Sequence, residues 1–308
     1  MLNDLFRKGF VIFLLAGLLA GCGSNNAEEL VDTPQPAPTA NMQGQIVFSA
    51  KKTEKEDYEL FLFDIQSGLL EQLTENEFED IAPDFSPDGT SIAYSANPNG
   101  VYDLFTIDLG SHRIAPLLEE AGTDKTEPAW SPDGKFLSYQ SNAYGDNDIF
   151  ILTVADGTFV RITEDDSQET QASWQVDGKS LVFVSDSDGD FDVYTMPVDS
   201  ATRTMLTTND DYDASPVVSP DGAKIAFLSK REGSFDIYMM DADGSNERML
   251  VQDTATNHSP EWSPDGSELA FISDDDSHSA VYLVKLDSGE IFTLLEGYFH
   301  YAGLTWRK

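Results

Sequence analysis

An all-β fold, a six-bladed β-propeller with four-stranded antiparallel blades, is what this sequence predicts, and three observations predict it. A short turn, "SPDG" or a near copy, recurs with its aspartate at Asp88, Asp133, Asp177, Asp221 and Asp265, at spacings of 45, 44, 44 and 44 residues. Apolar and aromatic residues stand in fixed columns around each turn. The final residues of the chain supply a column member that its first segment lacks.

The turn comes first because it sets the period. In "SPDG" the proline presets φ near −65°, the aspartate suits the third position, and the glycine accepts the positive φ that closes a type I turn into a bulge. The copy at Gln175 to Gly178, "QVDG", keeps Asp-Gly and loses the proline. A turn made five times is architectural, joining the innermost strand of each blade to the next strand out.

Three columns then define the strands. Three residues before the turn aspartate stand Phe85, Trp130, Trp174, Val218 and Trp262; the following run carries Tyr94, Tyr139, Phe183, Phe227 and Phe271, with Phe48 ahead of them. A third run carries Phe61, Phe105, Phe150, Tyr194, Tyr238 and Tyr282. The runs alternate and are rich in Val, Ile, Phe and Tyr, the pattern of strands rather than of helical repeats. Trp306, 44 residues after Trp262, completes the first column. The N-terminal segment therefore gives three strands, near Ile46 to Ala50, Leu60 to Asp64 and Leu70 to Thr74, and the strand around Leu304 to Trp306 completes that blade as its innermost member. Closing the ring this way removes open sheet edges.

Ahead of the propeller, residues 1–21 read as a lipoprotein signal peptide: Arg7 and Lys8 precede an apolar run from Phe10 to Ala20 that ends in "LAGC". Cys22 is then the expected lipid attachment site, and Gly23 after it favours the outer membrane, facing the periplasm, in a source with two membranes. Residues 22–43 are small, polar and proline-bearing, a lipidated tether reaching at most about 70 Å extended and about 25 Å as a coil. The propeller is expected over residues 44–308.

The formal net charge of −37 repels phosphate backbones and anionic headgroups, so nucleic acid is excluded as a partner and membrane contact is left to the lipid. A basic protein segment or a cation suits that field, and so does adaptation to salt. With one cysteine and four histidines, the chain has no disulfide framework and no Cys-rich zinc site.

The copies "PDFSPDG", "PAWSPDG", "PVVSPDG" and "PEWSPDG", with "ASWQVDG" as a weaker one, resemble the repeats of the TolB-type β-propeller family over about Ile46 to Trp306. That resemblance implies an envelope protein with a binding role, since TolB proper is periplasmic and binds a peptidoglycan-associated lipoprotein. TolB proper also has an α/β domain where this chain has a tether.

Propellers bind at the central mouth, which the loops leading into the innermost strands build. Eight residues before each turn aspartate stand Asp80, Lys125, Glu169, Asp213 and Asn257, with Tyr301 equivalent in the closing blade, and these are the expected partner-binding residues. His258 and His300 join them from neighbouring incoming loops. The related oligogalacturonate lyases hold a metal at this mouth through histidines, but two histidines alone do not make a ligand set, and no metal ligand is assigned. The acidic run "SDSDGDFD", Ser185 to Asp192, alternates Asp186, Asp188 and Asp190 as a calcium loop does. It departs from the EF-hand, with Gly189 too early and Pro197 in the place of the bidentate glutamate, so its aspartates read first as turn residues, and a weak calcium site at Asp186 to Asp190 stays open.

No "GxSxG" elbow or phosphate-cradling glycine loop occurs, so no catalytic residue and no cofactor is expected. The sequence reads best as a lipid-anchored, non-enzymatic protein-binding or scaffold module of the envelope whose partner carries a basic segment. A glycan-binding or glycan-active propeller, metal-assisted through His258 and His300, is the alternative. A purely structural envelope component is the third reading.

Overall fold

The computed structural model describes residues 43–118, 122–252, 255–275, 278–298 and 300–307. The expected signal peptide, Cys22 and all of the expected tether but Gln43 lie outside the described residues. The ordered chain forms six four-stranded sheets. Blade 1 unites Gln45–Lys51, Glu59–Asp64 and Leu69–Gln72 with His300–Arg307, which is innermost. Blades 2 to 5 each run in chain order from the inside out, with inner strands Asp80–Phe85, Lys125–Trp130, Glu169–Trp174 and Asp213–Val218, and blade 6 has Thr256–Trp262 innermost. The fold is the six-bladed propeller that the repeat arithmetic predicts, including its closure by the last strand.

The sequence columns have direct physical meanings. The second and third columns face each other as cross-strand pairs, Phe48 opposite Phe61, Tyr94 opposite Phe105, Tyr139 opposite Phe150, Phe183 opposite Tyr194, Phe227 opposite Tyr238 and Phe271 opposite Tyr282. Their ring centroids lie between 5.3 and 6.1 Å apart, a range in which aromatic pairs add to simple burial. The first column stitches blades together: the indole of Trp174 donates to the Ala129 carbonyl at 3.0 Å, and that of Trp262 to the Val217 carbonyl at 3.0 Å.

Each of the six hydrophobic clusters draws on two neighbouring blades, as when Ile46 and Phe48 of blade 1 meet Ile272 and Val281 of blade 6. The apolar core is thus a ring of six seams around the axis of the propeller.

The repeated turns close the opposite end of the blades from the incoming loops. In the first copy the Asp88 carboxylate accepts from the Ser86 hydroxyl at 2.7 Å and the Thr90 amide at 3.0 Å, while Gly89, at φ +68°, returns its amide to the Ser86 carbonyl. Those hydrogen bonds hold the carboxyls of Asp88, Asp221 and Asp265 below the usual range, and Lys135 helps bring Asp133 down to about 2. A Cβ on Gly134 would meet Pro87 of the preceding turn at 3.8 Å, and one on Gly222 would strike Val176, the residue replacing proline in "QVDG". The proline position therefore packs blade against blade as well as presetting φ.

Candidate partner-binding channel

Every innermost strand carries the same interruption. Register shifts between Ile81 and Asp84, Thr126 and Ala129, Thr170 and Ser173, Ala214 and Val217, and His258 and Glu261, and blade 1 shifts where Gly303 is skipped. The bulged residues Ala82, Glu127, Gln171, Ser215, Ser259 and Gly303 all lie in the left-handed region, with φ from +47° to +57°. Only the last is glycine, and there a Cβ would press within 3.2 Å of the Ala82 backbone. Five side chains held at positive φ in a repeated place are an over-determined strain that opens the strand toward the axis.

The bulges line a central channel of about 610 Å³. Its wall takes residues from all six blades, among them Glu79, Asp84, Glu127 and Glu261, and among the described residues includes no lysine or arginine. Amides released by the bulges are caught by the blade next door: Gln171 donates its amide to the Gln140 side chain at 3.1 Å, and Ser215 donates its own to the Gln171 side chain at 2.8 Å. Asp84 serves the same purpose, accepting from the Trp130 amide at 2.6 Å and the Thr305 hydroxyl at 3.2 Å.

Desolvation dominates the electrostatics of these acids. It pushes Asp84 up to about 6 against the hydrogen bonds it accepts. It raises Glu261 well above the ordinary glutamate value, with the Asp84 charge adding to the effect, and it raises Glu127. Glu127 remains solvent-accessible within the channel although protein atoms surround it. The channel is an electronegative space whose acids gain when a cation joins them.

The expected rim residues are placed otherwise. Asp80, Lys125, Glu169, Asp213, Asn257 and Tyr301 are all buried, which corrects their assignment to an open mouth. The eighth residue before the turn aspartate begins or nearly begins the inner strand, wedged between blades, and in four cases its polar group is turned to a named neighbour. Lys125 binds Asp103 at 2.9 Å, Glu169 binds Arg203 at 3.0 Å, Asp213 binds Arg231 at 3.3 Å, and Asp80 accepts from Asn76 at 2.7 Å. Variation of residue type along that column reflects a different local partner in each seam.

His258 and His300 do approach a common point: the first lies 3.0 Å and the second 3.9 Å from the same carboxylate oxygen of Asp274. Of the eight predicted positions only His258 also lines the channel. Among the described residues, the three carboxylates that converge tightly enough to share an ion are elsewhere, at Asp188, Asp190 and Asp192.

The channel acids were missed because the repeat "x-P-x-W" draws attention to its constant letters. Its two variable positions are the signal: Glu127 precedes the proline, and Asp84 and Glu261 follow it. Nothing in the strand alternation announces the bulge that turns them inward.

Fold and channel together define a class, a six-bladed propeller with an acidic axial channel. The chain belongs to the TolB beta propeller domain family, whose pattern matches residues 25–150, 128–238 and 213–302. Among solved structures it is similar to TolB from Acinetobacter baumannii, with a TM-score of 0.77 and 20% identity over 85% of this chain and 66% of that one. A protein described as a TolB from Agrobacterium tumefaciens gives a TM-score of 0.69 and 23% identity, covering 87% of this chain and 99% of that chain. An oligogalacturonate lyase in complex with manganese gives 0.55 and 15%, covering 82% and 74%. No curated protein matches the chain by sequence.

Proposed function

We propose that this protein is a lipid-anchored component of the bacterial envelope that binds a protein partner without catalysis, by receiving a basic segment of that partner in the channel mouth. The observation that carries the reading is the channel wall, in which Glu79, Asp84, Glu127 and Glu261 stand without a lysine or arginine among the described residues. A preformed rim of strands loses little freedom on binding, and the negative field of the whole chain accelerates the encounter.

Binding by this route has a pH signature. An ammonium or guanidinium group entering the channel favours the ionised form of Asp84, Glu127 and Glu261, so protons leave as the partner binds. Affinity is expected to rise from pH 5 to pH 8, because free Asp84 titrates at about 6 and the two glutamates are displaced in the same direction.

The test is a crosslinked pull-down from native envelopes using the wild type and a Glu127→Gln, Glu261→Gln double variant. One partner enriched by the wild type, lost from the double variant and weakened by salt supports the reading. Equal recovery by both forms removes the channel from it. The alternative, a glycan-binding or glycan-active propeller with or without a metal, has the pair His258 and His300 meeting at Asp274 as its candidate and no converging set of three ligands there among the described residues.

A further inference from the structure

The blades can be compared at one column, and among the described residues blade 4 is where further carboxylates converge on it. The third strand of blades 2, 3 and 4 begins with a sheltered aspartate, Asp103, Asp148 and Asp192. In blade 2 the charge is compensated by Lys125, the first residue of the next inner strand, at 2.9 Å. In blade 3 it is compensated by Arg161, on the outer strand opposite Phe150, at 2.9 Å. In blade 5, where Asp236 begins the third strand, Asn257 and Met249 stand at those two cation places. Blade 4 has neither cation but, among the described residues, brings two further carboxylates to its aspartate. Asp213 stands where Lys125 would be, and Met205, opposite Tyr194, stands where Arg161 would be.

Asp192 is nevertheless fully buried. One of its carboxylate oxygens accepts from the Thr207 hydroxyl at 2.7 Å, and the other, Oδ2, has no hydrogen-bond partner among the described residues. Asp190 Oδ2 is sheltered and unpartnered in the same way. Oxygens of Asp188, Asp190 and Asp192 lie within 4.8 Å of one another, passing from an exposed residue to a buried one, and no lysine or arginine pairs with any of the three among the described residues. Tyr194 donates to Asp188 at 3.0 Å, leaving that carboxylate's second oxygen for another partner. Unpaired, such a group of charges is costly to hold in a folded protein.

We propose that Asp188, Asp190 and Asp192 form a binding site for a hard divalent cation, calcium, at the loop joining the second and third strands of blade 4. Only oxygen is offered, which suits a hard cation, and ligand atoms spread within 4.8 Å can all reach one ion at calcium–oxygen distances of about 2.3–2.6 Å. Waters and loop carbonyls would complete a shell of six to eight. The site is shifted by two residues from the Asp186 to Asp190 alternation that the sequence displays. Asp186 instead accepts from the Gln168 amide at 2.8 Å and shapes the turn. Blade 3 lacks the equivalent set because Tyr144 occupies the position of Asp188.

The full-length chain, stripped with EDTA and exchanged into 0.15 M KCl, is titrated with CaCl2 by calorimetry and with Tb3+ by emission on tyrosine excitation, for which Tyr194 is the donor at hand. The wild type is expected to bind one calcium per chain and to show sensitised Tb3+ emission that calcium displaces. Asp190→Asn and, separately, Asp188→Asn are expected to weaken both signals about tenfold or more, while Asp287→Asn, which removes an exposed charge elsewhere, leaves them unchanged. Melting in EDTA checks that each variant is folded. The proposal is overturned by a wild type with no calcium heat, by variants indistinguishable from it, or by displacement of Tb3+ by magnesium at the concentration that calcium requires.

Discussion

Glu261 shows how one side chain can link stability to recognition. Its carboxyl, desolvated and facing Asp84, holds its proton to a pH well above the ordinary glutamate value, so ionising it in the folded state costs free energy that ionising it in the unfolded chain does not. Replacing it by glutamine removes that cost. Glu261→Gln is expected to melt higher than the wild type at pH 8 and to melt with it at pH 5, which thermal scans at the two pH values will decide. The same substitution should weaken capture of the basic partner, giving a variant with a firmer fold and a poorer grip. At this scale the sequence was informative about the turn aspartates, whose hydrogen bonds are local and repeat with the motif. It misled about Asp80, Glu169 and Asp213, because a charged residue in an incoming loop looks the same whether it faces water or a side chain of its own or a neighbouring strand.

The decisive element is the closing strand, His300–Arg307, which joins blade 1 by pairing with Gln45–Lys51. Trp306 is buried there, and its indole donates to the Gln43 carbonyl at 3.3 Å. Trp306→Ala is expected to cost about 3–5 kcal/mol, read as a drop in the urea midpoint with the slope unchanged. Gly44 tests the same junction through the backbone: it sits at φ +116°, and a Cβ would lie 2.1 Å from the Arg307 carbonyl oxygen. Gly44→Ala is expected to destabilise by about 2 kcal/mol or more on that account. The strand itself was legible from Trp306 falling one period after Trp262. The bulges were not, because a bulge inserts one residue into a ladder without altering the spacing of the columns on either side, and five of its six residues are not glycine.

Two sets of carboxyls compete across the whole molecule. The exposed turn aspartates, with lowered values, add stability above the unfolded range and lose it as pH falls through their folded values, the lowest of which is about 2 at Asp133. The sheltered acids work in the opposite sense. Asp84, raised to about 6, and Asp80 and Glu169, each raised to about 7, are favourable while protonated and withdraw stability as pH rises from about 4 through those values. Maximum stability is therefore expected near pH 5, with urea midpoints falling toward pH 8. The net charge of −37 acts in the same direction, so added salt should recover part of the loss at pH 8.

The channel is the place where the proposed partner enters. A photo-crosslinking amino acid placed at Ala302, in the channel wall, and at Thr90, on the exposed turn at the opposite end, tests that directly in living cells. Crosslinks from position 302 to a lysine- or arginine-rich segment of one protein, absent from position 90 and lost on adding Glu127→Gln and Glu261→Gln, are the predicted result. No protein captured from position 302, or equal capture from both positions, would contradict it.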